Sequence, residues 1–276
     1  ISFGTNSVVA TKLALKLSDY VVTETGFGAD LGFEKFVDLV SRVAGYNIHA
    51  VVVVATVRAL KYQGDGDDAN GLQTGLANLG KHIDIVKGFR LKPIVAINVF
   101  PDDIEKELAM VKEFCREKDV EAEKCEGFAK GSQGTIALAE KVIAVADRAD
   151  GTFTRAYEPE DPIDLKIEKV AKKVYGADGV IFSWDAKNKL KTIKKLGLDH
   201  LPVCIAKTQL SLSDNSDKLN VPTGWRLNIN EIEIAGGAGY VVPISGDIML
   251  MPGLPKSPSA ELIDIDDTGE NITGLF

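Results

Sequence analysis

Residues 49–57, His-Ala-Val-Val-Val-Val-Ala-Thr-Val, form a run of β-branched side chains with the length of a buried strand. A second apolar run, Pro-Ile-Val-Ala-Ile-Asn-Val-Phe, follows at residues 93–100. Between the two, residues 70–86 place apolar side chains at helical intervals. This order of strand, helix and strand predicts parallel pairing through a right-handed crossover, with ligands at the carboxyl ends of the strands.

The alternation continues on both sides of this unit. Helical spacing predicts further helices over residues 8–17, 33–40, 102–118, 135–146, 161–174 and 186–196. Short apolar runs predict further strands over residues 20–23, 179–182, 202–206 and 225–234. The fold class is therefore α/β, with a mostly parallel sheet and flanking helices. Ser-rich and Gly-rich turns follow residue 207, so we expect an α/β region over 1–207 and a smaller carboxyl-terminal subdomain over 208–276.

Composition excludes several classes of protein. The 276 residues are 45% hydrophobic and 26% charged, as in folded globular proteins. A net charge of −8 argues against a general nucleic-acid binder, and no apolar run reaches the roughly 18 residues of a membrane helix. The three cysteines lack the spacing of metal ligands or of a disulfide framework. We therefore expect a cytoplasmic protein that binds neither nucleic acid nor membranes and holds no structural metal.

One glycine-rich match does not predict a phosphate loop. Residues 75–82, Gly-Leu-Ala-Asn-Leu-Gly-Lys-His, fit G-x-x-x-x-G-K, but His82 stands where a hydroxyl would bind magnesium. The match also lies inside a helical pattern, whereas a phosphate loop must follow a strand and expose backbone N–H groups.

A second glycine-rich turn has the right setting for a ligand. Gly26, Gly28 and Gly32 lie between a short apolar segment and a helical pattern, where glycines permit close approach of a ligand and the helix start favours an anion. Asp30 and Glu24 could hold a metal ion or a polar ligand group. The alternative, given equal weight, is that the glycines satisfy a tight turn and Asp30 caps the helix.

Aromatic residues lie at the end of one predicted strand and just before one predicted Gly-rich turn. Phe100 with Pro101, and Phe128, lie where ligands bind in this architecture, although single aromatic residues more often belong to a core. Lys130 precedes a Gly-rich turn at residues 131–134 that could cradle an anion or could be a flexible capped turn.

Four blocks resemble one known family. They are Thr-Glu-Thr-Gly-Phe-Gly-Ala-Asp-Leu-Gly at residues 23–32, Val-Ala-Thr-Val-Arg-Ala-Leu-Lys at 54–61, Val-Cys-Ile-Ala-Lys-Thr-Gln at 203–209 with Ser-Leu-Ser at 211–213, and Gly-Asp-Ile-Met-Leu-Met-Pro-Gly-Leu-Pro at 246–255. In this order, and over essentially the whole chain, they resemble formate–tetrahydrofolate ligase, also called formyltetrahydrofolate synthetase.

The resemblance implies a function. Family members join formate to tetrahydrofolate with ATP and Mg²⁺, giving 10-formyltetrahydrofolate, ADP and phosphate through formyl phosphate. The resemblance leaves open whether a monovalent cation is also required. The implied fold is part of a phosphate-loop NTPase-like core, and the implied assembly is a homotetramer.

The resemblance also implies site residues. Phe100, Pro101 and Phe128 match the positions that sandwich the pterin ring, and Lys130 falls on the folate side. The resemblance also places the part of the site near the nucleotide or formyl phosphate at Glu24, Gly26, Gly28 and Asp30. No catalytic residue is assigned.

The resemblance is to the carboxyl-terminal half of the family sequence. The chain starts at Ile1 and lacks the family's Gly-Lys-Thr phosphate loop and the arginine used for the phosphorylated intermediate, so we expect a partial chain without ligase activity of its own. The alternative is a noncatalytic folate-binding or assembly module.

Overall fold

The computed structural model describes residues 3–246, 248, 257–258, 261–268 and 272–274. Its central sheet has three parallel strands in the order β1, β2, β3, with bounds Val51–Ala55, Pro93–Asn98 and Glu121–Cys125. Val95 at the middle of β2 pairs with Val53 on one side and Ala122 on the other. The predicted α/β class and the parallel pairing are therefore confirmed.

Helices fill the connections of this sheet. α3 (Val57–Gln63) follows β1, α4 (Ala69–Gly88) leads into β2, and α5 (Glu105–Glu117) joins β2 to β3. α3 begins after Thr56 and α4 after Asp68, because these side chains accept hydrogen bonds from backbone N–H groups of the first turn. Together with the sheet, the helices form a hydrophobic core whose buried members include Leu60, Leu72, Leu76, Ile97 and Val111.

Glycines let α4 lie unusually close to α3. A Cβ atom on Gly75 would be 1.8 Å from the carbonyl oxygen of Leu60, and one on Gly71 would be 2.1 Å from that of Gly66. Such distances leave room for hydrogen only. The first glycine of the rejected phosphate-loop match therefore serves helix packing, and the match lies within α4, as the sequence predicts.

The remaining helices come before or after this unit in the chain. They are α1 (Val8–Leu17), α2 (Ser41–Ala44), α6 (Gly127–Lys130), α7 (Ile136–Ala146), α8 (Ile163–Val170) and α9 (Trp184–Lys195). Turns of π-helix cover Ala29–Phe33, Phe36–Val40 and Ala171–Tyr175, and a 3-10 turn covers Gly131–Thr135. In α1 the buried residue is Thr11, whereas Val9 and Leu17 are exposed. This helix therefore leaves much of its apolar surface uncovered by the described chain.

The later part of the chain builds smaller sheets. β4 (Val180–Phe182) and β5 (Leu227–Ile229) pair in parallel, and β6 (Glu231–Ala235) and β7 (Tyr240–Ile244) pair in antiparallel. The short β8 (Asp264–Ile265) and β9 (Ile272–Thr273) form a further antiparallel pair. A second hydrophobic core includes Val37, Val170, Ile205, Leu227 and Val241. The division into regions 1–207 and 208–276 stays a prediction.

The structure corrects three predicted strands. Residues 20–23 are extended but pair with no strand in the described chain, and Val22 is 86% exposed. A strand needs a neighbour for its backbone groups, and here the Tyr20 hydroxyl instead donates to Asp147 (2.5 Å). Residues 202–206 make isolated bridges to β7 rather than a regular strand. The predicted strand over 225–234 is divided into β5 and β6.

Other predicted elements are confirmed with shifts at their ends. The helix over 8–17 is α1, and that over 70–86 is α4. The helix over 33–40 exists but is wound partly as π-helix. The elements not predicted from the sequence are α2, α3, α6, β3, β7, β8 and β9. No helix of the described residues has the length and apolarity needed to cross a membrane.

Candidate functional site

Two predicted aromatic residues follow strands that end at the same edge of the central sheet. β2 ends at Asn98 and β3 ends at its partner Cys125, and the backbone N–H of Val99 donates to the Cys125 carbonyl oxygen (3.0 Å). Phe100 follows the first of these strand ends and Phe128 the second. Because the strands are parallel, both rings belong to the carboxyl edge of the sheet, where this architecture binds ligands.

Phe100 is fixed by its own turn and by an arginine. The Asp103 carboxylate accepts a hydrogen bond from the Phe100 backbone N–H (2.8 Å). The Arg58 guanidinium lies over the Phe100 ring, 5.7 Å from its centroid. Such a cation–π contact orients the ring and contributes about 0.5–1 kcal/mol at an exposed site. Arg58 was not identified as a site residue, although it belongs to the block at residues 54–61 that carries the family resemblance.

Phe128 presents its ring to solvent. It lies in the single turn of α6 and is 93% exposed. The neighbouring Lys130 is also exposed, and its Nζ forms an ion pair with Glu126 at 2.8 Å. Pro101 is exposed beside Phe100. An aromatic side chain this exposed gains nothing from burial in the chain itself, and its ring is accessible to a ligand.

The glycine-rich turn lies in a second group of site residues. Gly26 adopts a left-handed backbone with φ 79°, and its carbonyl oxygen accepts a hydrogen bond from the N–H of Gly32 (3.1 Å). Gly28 precedes the helical turn that begins at Ala29. Phe27 between them also has a positive φ, at 57°, and is exposed. Glu24 is exposed at the entrance to the turn.

Asp30 is held by a buried lysine. Its Oδ2 lies 2.7 Å from the Nζ of Lys207, and both side chains are almost fully buried. Lys207 also donates to the carbonyl oxygens of Ser211 (2.5 Å) and Thr208 (3.1 Å). Burial would raise the pKa of the Asp30 carboxyl, but the Lys207 ammonium group lowers it below its usual value. Asp30 is therefore an ionised partner of Lys207 and joins two of the four resemblance blocks.

His82 supports the same turn from α4. Its Nδ1 accepts a hydrogen bond from the backbone N–H of Ala29 (3.3 Å), so the neutral ring carries its proton on Nε2. Burial lowers the pKa of His82, which favours this neutral form. A Cβ atom on Gly28 would be 2.8 Å from the imidazole, so the glycine makes room for the ring.

Helix α3 links the two groups. Arg58 in its first turn contacts Phe100, and Gln63 at its end binds the segment beyond Lys207. The Gln63 side chain donates to the Leu210 carbonyl oxygen (3.3 Å) and accepts from the Asn220 N–H (2.7 Å). A small cavity of about 40 Å³ lies at this junction, lined in part by Gly28, Asp30 and His82.

A metal site is not formed by the predicted acidic residues. Asp30 is engaged by Lys207, and Glu24 is exposed. Among the described residues, no group of three or more His, Cys, Asp or Glu side chains could hold a metal ion. The arrangement as described offers aromatic faces at one end of α3 and a rigid, glycine-rich turn at the other.

Comparison with known proteins identifies the family. The family model for formate–tetrahydrofolate ligase matches residues 1–276. A formate–tetrahydrofolate ligase of Symbiobacterium thermophilum is 48% identical over 284 aligned residues, which cover 100% of this chain and 51% of the relative. The chain thus spans about half the length of this curated relative. Because the family model covers the whole chain, the chain belongs to the formate–tetrahydrofolate ligase family.

Proposed function

We propose that the chain is part of an ATP-dependent ligase that joins formate to tetrahydrofolate, giving 10-formyltetrahydrofolate, ADP and phosphate through formyl phosphate. Within that enzyme, it supplies the tetrahydrofolate site. The observation that supports this role is the shared carboxyl edge of β2 and β3, which brings Phe100 and the exposed Phe128 to one side of the sheet. Family membership supports the ligase activity.

The aromatic residues bind and orient the flat pterin. Phe100 and Phe128 stack on its faces, and Pro101 adds an apolar contact beside Phe100. Aromatic stacking contributes about 0.5–1.5 kcal/mol beyond the area that it buries. Arg58 holds the Phe100 ring in place before the ligand arrives, which reduces the ordering cost of binding. Lys130 lies toward the negatively charged part of the folate.

The glycine-rich turn has a positioning role in the proposed reaction. Gly26 and Gly28 form the edge that faces the nucleotide or formyl phosphate, with Glu24 and Asp30 beside them. Phosphoryl transfer needs cations that neutralise the transferred group, usually Mg²⁺ together with lysine and arginine side chains. Lys207 does not fit this role, because its Nζ is already surrounded by Asp30, Ser211 and Thr208. Binding of ATP with Mg²⁺ is therefore assigned to other parts of the enzyme.

The tetrahydrofolate site is tested by calorimetry on the purified chain. We expect tetrahydrofolate to bind, and Phe100→Ala and Phe128→Ala each to weaken binding by about 1 kcal/mol or more through lost stacking. Trp184→Ala is the matched control, because Trp184 is 77% exposed and belongs to α9, which packs against β4 and β6. The site assignment fails if the folded chain does not bind tetrahydrofolate, or if the control weakens binding as much as the two phenylalanine variants.

Turnover is tested separately. We expect the chain by itself, supplied with formate, ATP and tetrahydrofolate, to produce no 10-formyltetrahydrofolate above the uncatalysed background. Spectroscopic product detection checks this result, and turnover at the level of the longer relatives would contradict it. The gene distinguishes part of a ligase from the alternative, a noncatalytic folate-binding or assembly module. A Gly-Lys-Thr phosphate loop encoded upstream in the same reading frame would favour part of an enzyme.

Assembly and location complete the proposal. We place the enzyme in the cytoplasm as a homotetramer, with a monovalent cation as a further requirement. Light scattering on the chain measures the oligomeric state, and binding titrations with K⁺ and Na⁺ measure the cation dependence.

A further inference from the structure

Two buried acidic side chains lie one helical turn apart, just beyond the glycine-rich turn. Glu34 and Asp38 belong to the helical segment over residues 29–44, and each is 0% exposed. Residues four apart on a helix are neighbours on its surface, and these two carboxyl groups are in hydrogen-bond contact. The proposed function does not use this pair.

The contacts of the pair leave a place for one proton. Asp38 Oδ1 accepts a hydrogen bond from the Ala156 backbone N–H (2.8 Å), whereas Oδ2 is buried and meets no donor among the described residues. The Lys35 ammonium forms an ion pair with Glu34 Oε2 at 3.1 Å, but it is not aligned for a hydrogen bond. An ionised carboxylate only accepts, so a hydrogen bond between two carboxyl groups requires a proton on one of them.

The cations near Asp38 donate to other groups. Arg42 donates to the backbone carbonyl oxygens of Asp38 (3.1 Å) and Tyr157 (2.8 Å). Lys173, in the turn after α8, donates to the backbone carbonyl oxygen of Arg155 (2.8 Å), and the Arg155 guanidinium donates to a serine hydroxyl (3.2 Å). These cations therefore act on Asp38 from a distance, and none of these hydrogen bonds reaches its carboxyl oxygens.

The electrostatic surroundings favour the protonated form of Asp38. Burial and the Glu34 carboxylate raise the pKa of Asp38 well above its ordinary value, and the Ala156 N–H, Lys173 and Arg42 oppose this shift without reversing it. The other titratable groups that face the pair are Asp30, Lys35, Tyr157, Tyr175 and Cys204. Burial raises the pKa values of the two phenols and the thiol, which are thus neutral, and Asp30 is paired with Lys207.

We propose that Asp38 is a carboxylic acid in the folded chain and donates its Oδ2 proton to the ionised Glu34, which is paired with Lys35. Both Asp38 oxygens are then used, and one cation balances one anion in a buried place. Through Ala156, this neutral acid links the helix behind the glycine-rich turn to the segment over residues 155–157. Loss of the proton to solvent would leave two carboxylates in contact, so the link weakens as the pH rises.

Urea unfolding at several pH values tests the proton. The unfolded chain ionises Asp38 above a pKa of about 3.9, so folding takes up one proton at higher pH. From about pH 5 upward, the unfolding equilibrium constant of the parent should therefore rise about tenfold per pH unit relative to that of Asp38→Asn, until the folded-state pKa is reached. The asparagine carries a permanent amide donor. All other titrating groups are common to both proteins and cancel in the comparison.

Two further variants make the test specific. Glu34→Gln replaces the accepting carboxylate with an amide that can donate to an ionised Asp38, so the extra proton uptake should fall by more than half. Full uptake in Glu34→Gln would mean that burial alone holds the proton, which contradicts the donation to Glu34. Asp67→Asn is the matched control, because Asp67 is exposed and its replacement should leave the pH dependence of the parent unchanged. The proposal is wrong if Asp38→Asn behaves like this control.

Infrared spectroscopy detects the same proton without a substitution. At neutral pH the folded parent should show a carbonyl band of a protonated carboxyl group, and this band should disappear on thermal unfolding, when Asp38 ionises in water. Asp38→Asn should lack the band. A folded parent without a protonated carboxyl band would overturn the proposal even if Asp38→Asn does not fold.

Discussion

Lys207→Met is expected to lower the free energy of unfolding by about 3–5 kcal/mol, the cost of breaking a buried ion pair from one side. The methionine keeps most of the side-chain volume, so the loss comes from Asp30, whose carboxylate would remain buried without its cation. The carbonyl oxygens of Ser211 and Thr208 would lose the same donor. Urea unfolding followed by circular dichroism measures the change.

Two control variants make this result specific. Lys172→Met removes an exposed ion pair with Glu168 and should change the free energy of unfolding by no more than about 0.5 kcal/mol. Asp30→Asn/Lys207→Met removes both charges and should be less destabilised than Lys207→Met alone, since no unpaired charge remains buried. The ion pair would have no stabilising role if Lys207→Met matched the exposed control.

The same pair gives a dependence on pH. The folded-state pKa of Asp30 is below its usual value, so its contribution to stability is present above the ordinary carboxyl pKa of about 3.9 and is lost as the pH falls through the folded-state value. In Lys207→Met the buried carboxyl gains a proton more readily. The difference in unfolding free energy between parent and variant should therefore narrow as the pH falls, beginning above the ordinary carboxyl pKa of about 3.9, where the variant takes up its proton, and continuing below it, where the parent does.

Gly32→Ala is expected to lower the free energy of unfolding by about 3 kcal/mol or more, at the upper end of the cost of overpacking. A Cβ atom at this position would be 1.6 Å from the Thr25 carbonyl oxygen and 2.2 Å from that of Gly26. Both are backbone atoms, so the glycine-rich turn itself must move. The hydrogen bond from the Gly32 N–H to the Gly26 carbonyl oxygen would then be lost.

Gly88→Ala is the matched control for this substitution. Gly88 ends α4, and a Cβ atom there would meet nothing within 4 Å. Alanine should therefore be neutral or stabilise the chain by up to about 1 kcal/mol through helix propensity. If Gly32→Ala unfolds at the same urea concentration as the parent, the turn is more adaptable than its contacts indicate.

The sequence predicts the central sheet well where the strands are apolar. β1 and β2 are identified by their β-branched runs. β2 is buried along almost its whole length, as such a run predicts, whereas β1 leaves Val52 and Val54 exposed. β3, Glu-Ala-Glu-Lys-Cys, is an edge strand with few apolar residues, and its composition does not distinguish it from a loop. Residues 20–23 have a strand-like composition, but only the tertiary structure determines that no strand among the described residues pairs with them.

The residues of the candidate site were only partly predictable from the sequence. The resemblance identified Phe100 and Phe128, and the register of β2 with β3 gives the reason that they share an edge. The contact between Asp30 and Lys207 could not be inferred from spacing, because the two residues are far apart in the chain and belong to separate blocks. Arg58 and His82 act on the site through neighbours, so no local pattern identifies them.

The sparse packing of α1 has a consequence for amide hydrogen exchange. Thr11 is its buried residue, whereas α4 buries ten residues along its length, including Leu72 and Ile83. Segments with few buried contacts open locally at a small fraction of the global unfolding free energy. The amides of α1 should therefore exchange through local opening, while those at the centre of α4 exchange only when the sheet and its helices unfold together.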